Sequence, residues 1–166
     1  MLKIVRLTEE HIFNVQELFQ ENLSEIEFIF SREFDISFDI NVVLEQQMAK
    51  IQQYSPPSGR LLLAESKGKI TGCAGLKKIG KNVGEVKRMY VQPEYRRKGI
   101  GRSLLQTIIY EARQIGYSKI RLDSAPFAKS AQALYYSSGF RNIEPYSESE
   151  IPKEYHSRWV FMELVL

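Results

Sequence analysis

Cysteine is almost absent from this chain. Cys73 is the only one among 166 residues, so no internal disulfide can form. A reducing compartment, the cytoplasm, is the expected location. Histidine is nearly as scarce. His11 and His156 stand alone, without the spacing of metal ligands, and no zinc site is expected. No apolar run approaches the roughly 18 residues of a membrane span. The opening Met1-Leu2-Lys3-Ile4-Val5-Arg6 lacks the apolar centre of a secretory leader, so a membrane partner is not expected. There is no internal repeat and no low-complexity tract. A large excess of one charge is also missing. The net charge of +3 is too small to argue for nucleic acid, and no recognised nucleic-acid motif is present.

What is there fits one globular domain over residues 1–166, with 43% hydrophobic and 26% charged residues. A chain of this size buries roughly 70% of its extended surface, enough for one core. The charge is unevenly spread. Residues 1–60 hold 5 Lys/Arg and 10 Asp/Glu, a balance of −5, whereas residues 61–166 stand at +8. Either this is surface scatter or the two parts meet ligands of opposite sign. On the second reading the acceptor of any reaction is cationic, with Glu25, Glu27 and Glu33 as candidate contacts.

Periodicity predicts the elements. Leu2 to Leu7 reads as a strand. Thr8 then caps a helix with Ile12, Val15, Leu18 and Phe19 on one face. Residues 24–38 are aromatic and acidic without a clean period, and Phe28, Phe30, Phe34 and Phe38 read as core or substrate-pocket lining. Asp39 caps a second helix bearing Ile40, Val43, Leu44 and Met48. A meander follows, with strands at Arg60 to Glu65, around Ile70 to Lys77, and at Val83 to Val91, the last ended by Gln92-Pro93. Cys73 lies in this alternation and reads as core rather than nucleophile. The clearest helix carries Ile100, Leu104, Leu105, Ile108 and Ala112, with Gly116 as its terminal glycine. A strand at Ser118 to Asp123, a helix over 128–138 closed by Gly139, and strands at Phe140 to Ile143 and Arg158 to Leu164 complete the pass. The expected class is α/β, a mixed sheet flanked by helices.

The segment Arg96-Arg97-Lys98-Gly99-Ile100-Gly101 joins a strand directly to a helix. First-turn amides have no intrahelical partners, and with the helix dipole they form an anion site. Gly99 and Gly101 let an anion approach the backbone, and Arg96, Arg97, Lys98 and Arg102 add positive charge. It is neither a Walker A loop nor a dinucleotide fingerprint, because Gly-Lys-Ser/Thr is missing and Leu104 stands at the third glycine position. The bland alternative is a solvated basic helix start.

Met89-Tyr90-Val91-Gln92-Pro93-Glu94-Tyr95-Arg96-Arg97-Lys98-Gly99-Ile100-Gly101 resembles the central motif of the GNAT N-acetyltransferase superfamily, Val-x-Pro followed by Gln/Arg-x-x-Gly-x-Gly/Ala. Downstream, Ala131-Gln132-Ala133-Leu134-Tyr135-Tyr136-Ser137-Ser138-Gly139-Phe140 resembles the family's Ala-x-x-Leu-Tyr-x-x-x-Gly-Phe. The ordered pair spans residues 83–145. The resemblance implies a GNAT fold in which two parallel strands, 83–91 and 118–123, splay apart to bind acetyl-CoA, with coenzyme A as product and no metal. The pantetheine arm would meet the backbone of Met89, Tyr90 and Val91, and the pyrophosphate the amides of Arg97 to Arg102, Ile100 among them.

The same resemblance makes Tyr135 the general acid that protonates the departing thiolate, although a tyrosine that merely shapes the thioester pocket is the alternative. Glu85 matches a glutamate that acts as base in some members. An alkylamine is neutral in only about one molecule in two thousand at pH 7, so something must take its proton. A salt bridge to Lys87, Arg88 or Arg121 is the competing role for Glu85. Asp123, at a strand end, reads equally as a substrate contact or a turn residue. One position departs from the family: Ala128 replaces an asparagine that helps to hold the cofactor arm, and backbone or Ser130 would have to substitute.

The implied activity is acetyl transfer to a primary amine of a small molecule or peptide. The alternatives are another acyl group, a hydroxyl acceptor, or a catalytically silent acyl-CoA-binding sensor. The sequence leaves oligomeric state open, a homodimer included.

Overall fold

The structure, a computed structural model, describes residues 1–166. Its strands are β1 (Leu2–Arg6), β2 (Arg60–Ser66), β3 (Lys69–Gly80), β4 (Val83–Val91), β5 (Lys119–Ser124), β6 (Arg141–Asn142) and β7 (Val160–Val165). Its helices are α1 (Ile12–Glu33), α2 (Ile40–Ala49), α3 (Ile100–Ile115) and α4 (Lys129–Ser137). The strands form one sheet in the order β1-β2-β3-β4-β5-β7-β6. Neighbours are antiparallel except β4 and β5. The expected mixed sheet with flanking helices is therefore present. No helix is long and apolar enough to cross a membrane.

Strand alternation divides the core between two faces. Leu62, Ala64, Leu76, Val86, Ile120 and Leu122 point to the α3 side, where they meet Leu104, Leu105 and Ile108. Leu61, Leu63 and Cys73 point the other way, onto Val15, Leu18 and Phe19 of α1. Cys73 is fully buried, as expected, and burial pushes its thiol up to about 12. An inert thiol follows.

Two local expectations hold and one does not. Asp39 caps α2, accepting from the amides of Asn41 and Val42 at 3.0 and 3.3 Å. Gly116 ends α3 with φ +101°, the left-handed conformation that glycine adopts without a Cβ penalty. The correction concerns α1, which continues to Glu33 through residues with no clean amphipathic period. Its buried face stops at Leu23. Beyond that point its partners are aromatic side chains rather than the sheet: Phe30 lies 5.8 Å from Phe127 and 5.8 Å from Trp159. The helical stripe fades because no flat sheet lies beneath those turns.

Glu111 of α3 ties the helix to the sheet edge. It accepts from Arg6 at 2.9 Å and Arg60 at 2.9 Å, with its side chain only 8% exposed. Burial alone would raise this carboxyl, but the two arginine hydrogen bonds outweigh it and hold it below its usual range. Glu111→Gln leaves the shielded Arg60 without its charge partner and is expected to cost about 2–3 kcal/mol near pH 7. A depressed carboxyl stabilises the fold above its ordinary value near 4.3 and loses that contribution as pH falls through its lower folded value. Urea midpoints should therefore separate wild type and variant at pH 7 and converge in acid. A constant gap would make the effect steric.

Candidate active site

The opening in the sheet follows from where pairing stops. β4 and β5 pair only at Val83 to Glu85 against Lys119 to Arg121. β4 continues to Val91 along β3, while β5 continues to Ser124 along β7. From Val86 onward, the β5-facing edge of β4 has no strand against it. A bulge sharpens the divergence. Cys73 and Gly75 of β3 face Tyr90 and Lys87 of β4, so two steps on one strand answer three on the other. Arg88, at the bulge, has φ +56°.

The bulge also reverses the alternation. Before it, Val86 faces α3, and Glu85 and Lys87 face away. After it, Met89 and Val91 pack against the α3-side core, and Tyr90 joins the α1 side. One strand thus sends Glu85 to one face of the opening and Met89 to the other.

At the end of β4, residues Pro93–Tyr95 form a short turn and α3 begins at Ile100. Gly99 precedes the helix with φ +81°, and a Cβ there would meet nothing within 4 Å. Arg97 also has positive φ, +61°. The first-turn amides of α3 therefore face open space at a positive dipole end, which fits a phosphate group. A Cβ on Gly101 would meet only Leu134 at 3.5 Å and Met89 at 4.0 Å, ordinary contacts.

The basic side chains divide into two sets. Arg96 donates to the Val91 carbonyl at 2.7 Å, pairs with Glu25 at 2.8 Å and lies over the Tyr90 ring at 5.4 Å. It braces the loop against β4 and α1. Arg97, Lys98 and Arg102 are exposed around the helix start. Ile100 turns its side chain into the core, leaving only its backbone for a ligand. Ala128 stands just before α4 without a side-chain cap. Next to it, the buried Gln132 donates to the Ala125 carbonyl at 2.8 Å and fixes the end of β5.

Glu85 is completely buried. Its Oε2 accepts from the Tyr146 hydroxyl at 2.7 Å, while Oε1 has no hydrogen-bond partner and lies 3.7 Å from Lys77 Nζ. Burial pushes this carboxyl up, against the opposing pull of Lys87, the Tyr146 hydrogen bond and Lys77. Two of the partners anticipated for Glu85 are engaged elsewhere. Lys87 lies 3.6 Å from Glu150, and Arg121 pairs with Glu163 at 2.8 Å.

Tyr135 packs on the α3 side of the sheet. It is 6% exposed, and its ring lies 5.8 Å from that of Phe140. Burial first, and then the charge of Asp123, push its hydroxyl above the ordinary tyrosine value. It keeps its proton at neutral pH and can only donate it. The Asp123 charge also acts on Glu85 and Tyr146, so these four side chains share one electrostatic neighbourhood. The arrangement offers a protonated phenol on one face of an opened sheet and a carboxylate of raised affinity for protons on the other.

Sequence reasoning missed Lys77, Tyr146 and Glu150. Lys77 is an outward position of an alternating strand. Tyr146 and Glu150 lie in the long connection between β6 and β7, where no period marks a residue that folds back onto the sheet.

Comparison with known proteins supplies the family and the fold. The sequence model of the acetyltransferase (GNAT) family matches residues 17–140. An uncharacterised N-acetyltransferase of Schizosaccharomyces pombe is 32% identical over 131 residues, covering 78% of this chain and 80% of the relative. An IAA acetyltransferase of Azospirillum brasilense is 34% identical over 109 residues, covering 65% and 71%. Among solved structures, the PaiA N-acetyltransferase of Thermoplasma acidophilum in complex with coenzyme A superposes with a TM-score of 0.76 at 21% identity, over 100% of this chain and 99% of that one.

Proposed function

The chain belongs to the acetyltransferase (GNAT) family and is an acetyl-CoA-dependent N-acetyltransferase, and on that premise we propose that residues 1–166 form one domain that moves acetyl to a primary amine of a small molecule or peptide by direct attack. The observation that carries this reading is the buried Glu85, at the last position where β4 pairs with β5 and turned away from α3, with the protonated Tyr135 packed on the α3 side of the same sheet. A cytoplasmic location belongs to the same reading.

Acetyl-CoA, when bound, supplies the thioester whose carbonyl the amine attacks. The amides of Arg97 to Arg102 hold its pyrophosphate at the start of α3. The β5-facing backbone of Met89 to Val91, apart from the Val91 carbonyl that Arg96 holds, would offer hydrogen bonds to its arm, in place of the strand that β5 does not provide there. Arg96 positions that loop, and Arg97, Lys98 and Arg102 add attraction for the phosphates. Glu85, whose carboxyl is raised by burial, takes a proton from the ammonium form of the acceptor. Tyr135 would give its proton to the departing thiolate and recover one from the nitrogen of the newly acylated amine.

Thiol release from acetyl-CoA, followed with a mixed panel of amines, tests the activity. Release above the hydrolytic background is expected with at least one amine. Binding of acetyl-CoA without release by any amine would make the chain a silent sensor.

Gly101 tests the cofactor site. A Cβ at this position makes only ordinary contacts, and lost affinity in a variant that unfolds at the wild-type temperature reports on the ligand rather than on misfolding. Gly101→Ile is expected to weaken acetyl-CoA binding at least tenfold, about 1.4 kcal/mol, by calorimetry. Unchanged affinity in a folded variant would place the pyrophosphate elsewhere.

A further inference from the structure

We propose that the amine acceptor also carries a carboxylate, bound by Lys77 and Lys87 in the place that Glu150 takes here. The inference rests on the acetyl-transfer reading and names the substrate class of that site.

The two lysines are well shielded, with side chains 12% and 9% exposed. They lie on the same face of the sheet as Glu85, away from Met89 and the α3 helix start. Both reach one carboxylate on the connection between β6 and β7: Glu150 lies 3.2 Å from Lys77 and 3.6 Å from Lys87. Glu150 itself is 45% exposed and comes from the solvent side. Burial would raise its carboxyl, but Lys87 and Lys77 outweigh that and hold it down to about 2. This position is therefore built to accept an anionic carboxylate, and the chain fills it with one of its own.

A second observation points to the same place. Three buried side-chain atoms have no hydrogen-bond partner: Tyr54 Oη, Glu85 Oε1 and Arg88 Nε. All three belong to one neighbourhood: the Tyr54 ring lies against Gly75, whose cross-strand partner is Lys87, and Glu85 and Arg88 flank Lys87 on β4. Unpartnered buried polar atoms are costly, and three together mark a site that a polar ligand completes. Their chemistry matches an amino acid. Arg88 Nε–H and the Tyr54 hydroxyl can donate to a carboxylate beside the two lysines, and Glu85 Oε1 can accept from an ammonium group.

The acidic surplus of residues 1–60 points to an acceptor that is cationic or arrives as an ammonium ion, with Glu25, Glu27 and Glu33 as contacts; an amino acid keeps the ammonium group and adds a carboxylate. The structure engages one of the named candidates, Glu25, and the neighbouring Glu21 within the protein itself. Glu25 pairs with Arg96 at 2.8 Å, and Glu21 accepts from Gln92 at 3.0 Å.

The test compares standard L-amino acids with their α-amides, using the full chain. Binding is measured by calorimetry with coenzyme A present, and thiol release with acetyl-CoA. At least one amino acid is expected to bind, and to be used with a kcat/KM at least tenfold above that of its amide. Lys87→Met should abolish that preference, whereas Glu150→Gln should lower KM for the same amino acid about three- to tenfold by removing the internal competitor. A purely structural ion pair would not give shifts of opposite sign. Equal use of amides, or no binding of any amino acid, overturns the proposal. Discriminating binding without thiol release overturns the transfer reading and leaves the carboxylate site standing.

Discussion

Glu85→Gln is expected to lower kcat for a primary amine by about 10²- to 10³-fold while leaving acetyl-CoA affinity close to that of the wild type. Glutamine keeps the volume and can still accept from Tyr146, but it cannot take a proton. The pH profile separates this from a packing effect. Burial raises the Glu85 carboxyl, so the acidic limb of kcat should lie above the ordinary glutamate value near 4.3. Activity should fall as pH drops through that raised value, because the base becomes protonated, and the limb should vanish in Glu85→Gln. Tyr146 donates to the ionised carboxylate and favours it, so Tyr146→Phe should shift the limb further upward. Steady-state rates from pH 4 to 9 decide the matter. A normal rate in Glu85→Gln would hand the proton to water.

Tyr135→Phe keeps the ring that packs on Phe140 and removes only the hydroxyl. A fall in kcat of about 100-fold, some 2.7 kcal/mol of transition-state stabilisation, is expected with little change in cofactor affinity. The deficit should depend on the leaving group. A donor whose thiol has a lower pKa needs less protonation, so the gap between wild type and variant should narrow with it. A tyrosine that only shapes the pocket predicts weaker acetyl-CoA binding, lower thermal stability and a deficit indifferent to the donor. Rates on two acyl donors, with affinity measured separately, distinguish the two roles.

Much of this architecture is legible in the sequence because its signals are local. The α3 helix shows its face through Ile100, Leu104, Leu105 and Ile108 and its end through Gly116. The β2 to β4 meander shows itself by period-two alternation. The Arg96 to Gly101 loop is readable because its meaning depends on the strand before it and the helix after it. Three features stay hidden for a physical reason. The bulge at Arg88 reverses which side chains share a face, and nothing in Val86-Lys87-Arg88-Met89 announces the reversal. The last turns of α1 pack on Phe127 and Trp159, residues distant in sequence. The groups around Glu85 include Lys77 from β3, Asp123 from β5 and the Tyr146 hydroxyl from the connection between β6 and β7, so only the folded chain brings them together. Charge counts over segments hide such pairings for the same reason, since Glu25 answers Arg96, 71 residues away.

The most direct test of the account is the crystal structure of this protein with acetyl-CoA bound. The pyrophosphate should lie on the first-turn amides of α3, and the arm along Met89 to Val91. The thioester should enter the β4–β5 opening with its sulfur within about 3.5 Å of the Tyr135 hydroxyl and its carbonyl open to the face that holds Glu85. A thioester bound outside that opening, or a sulfur beyond reach of Tyr135 with Glu85 walled off from the acetyl group, would contradict it.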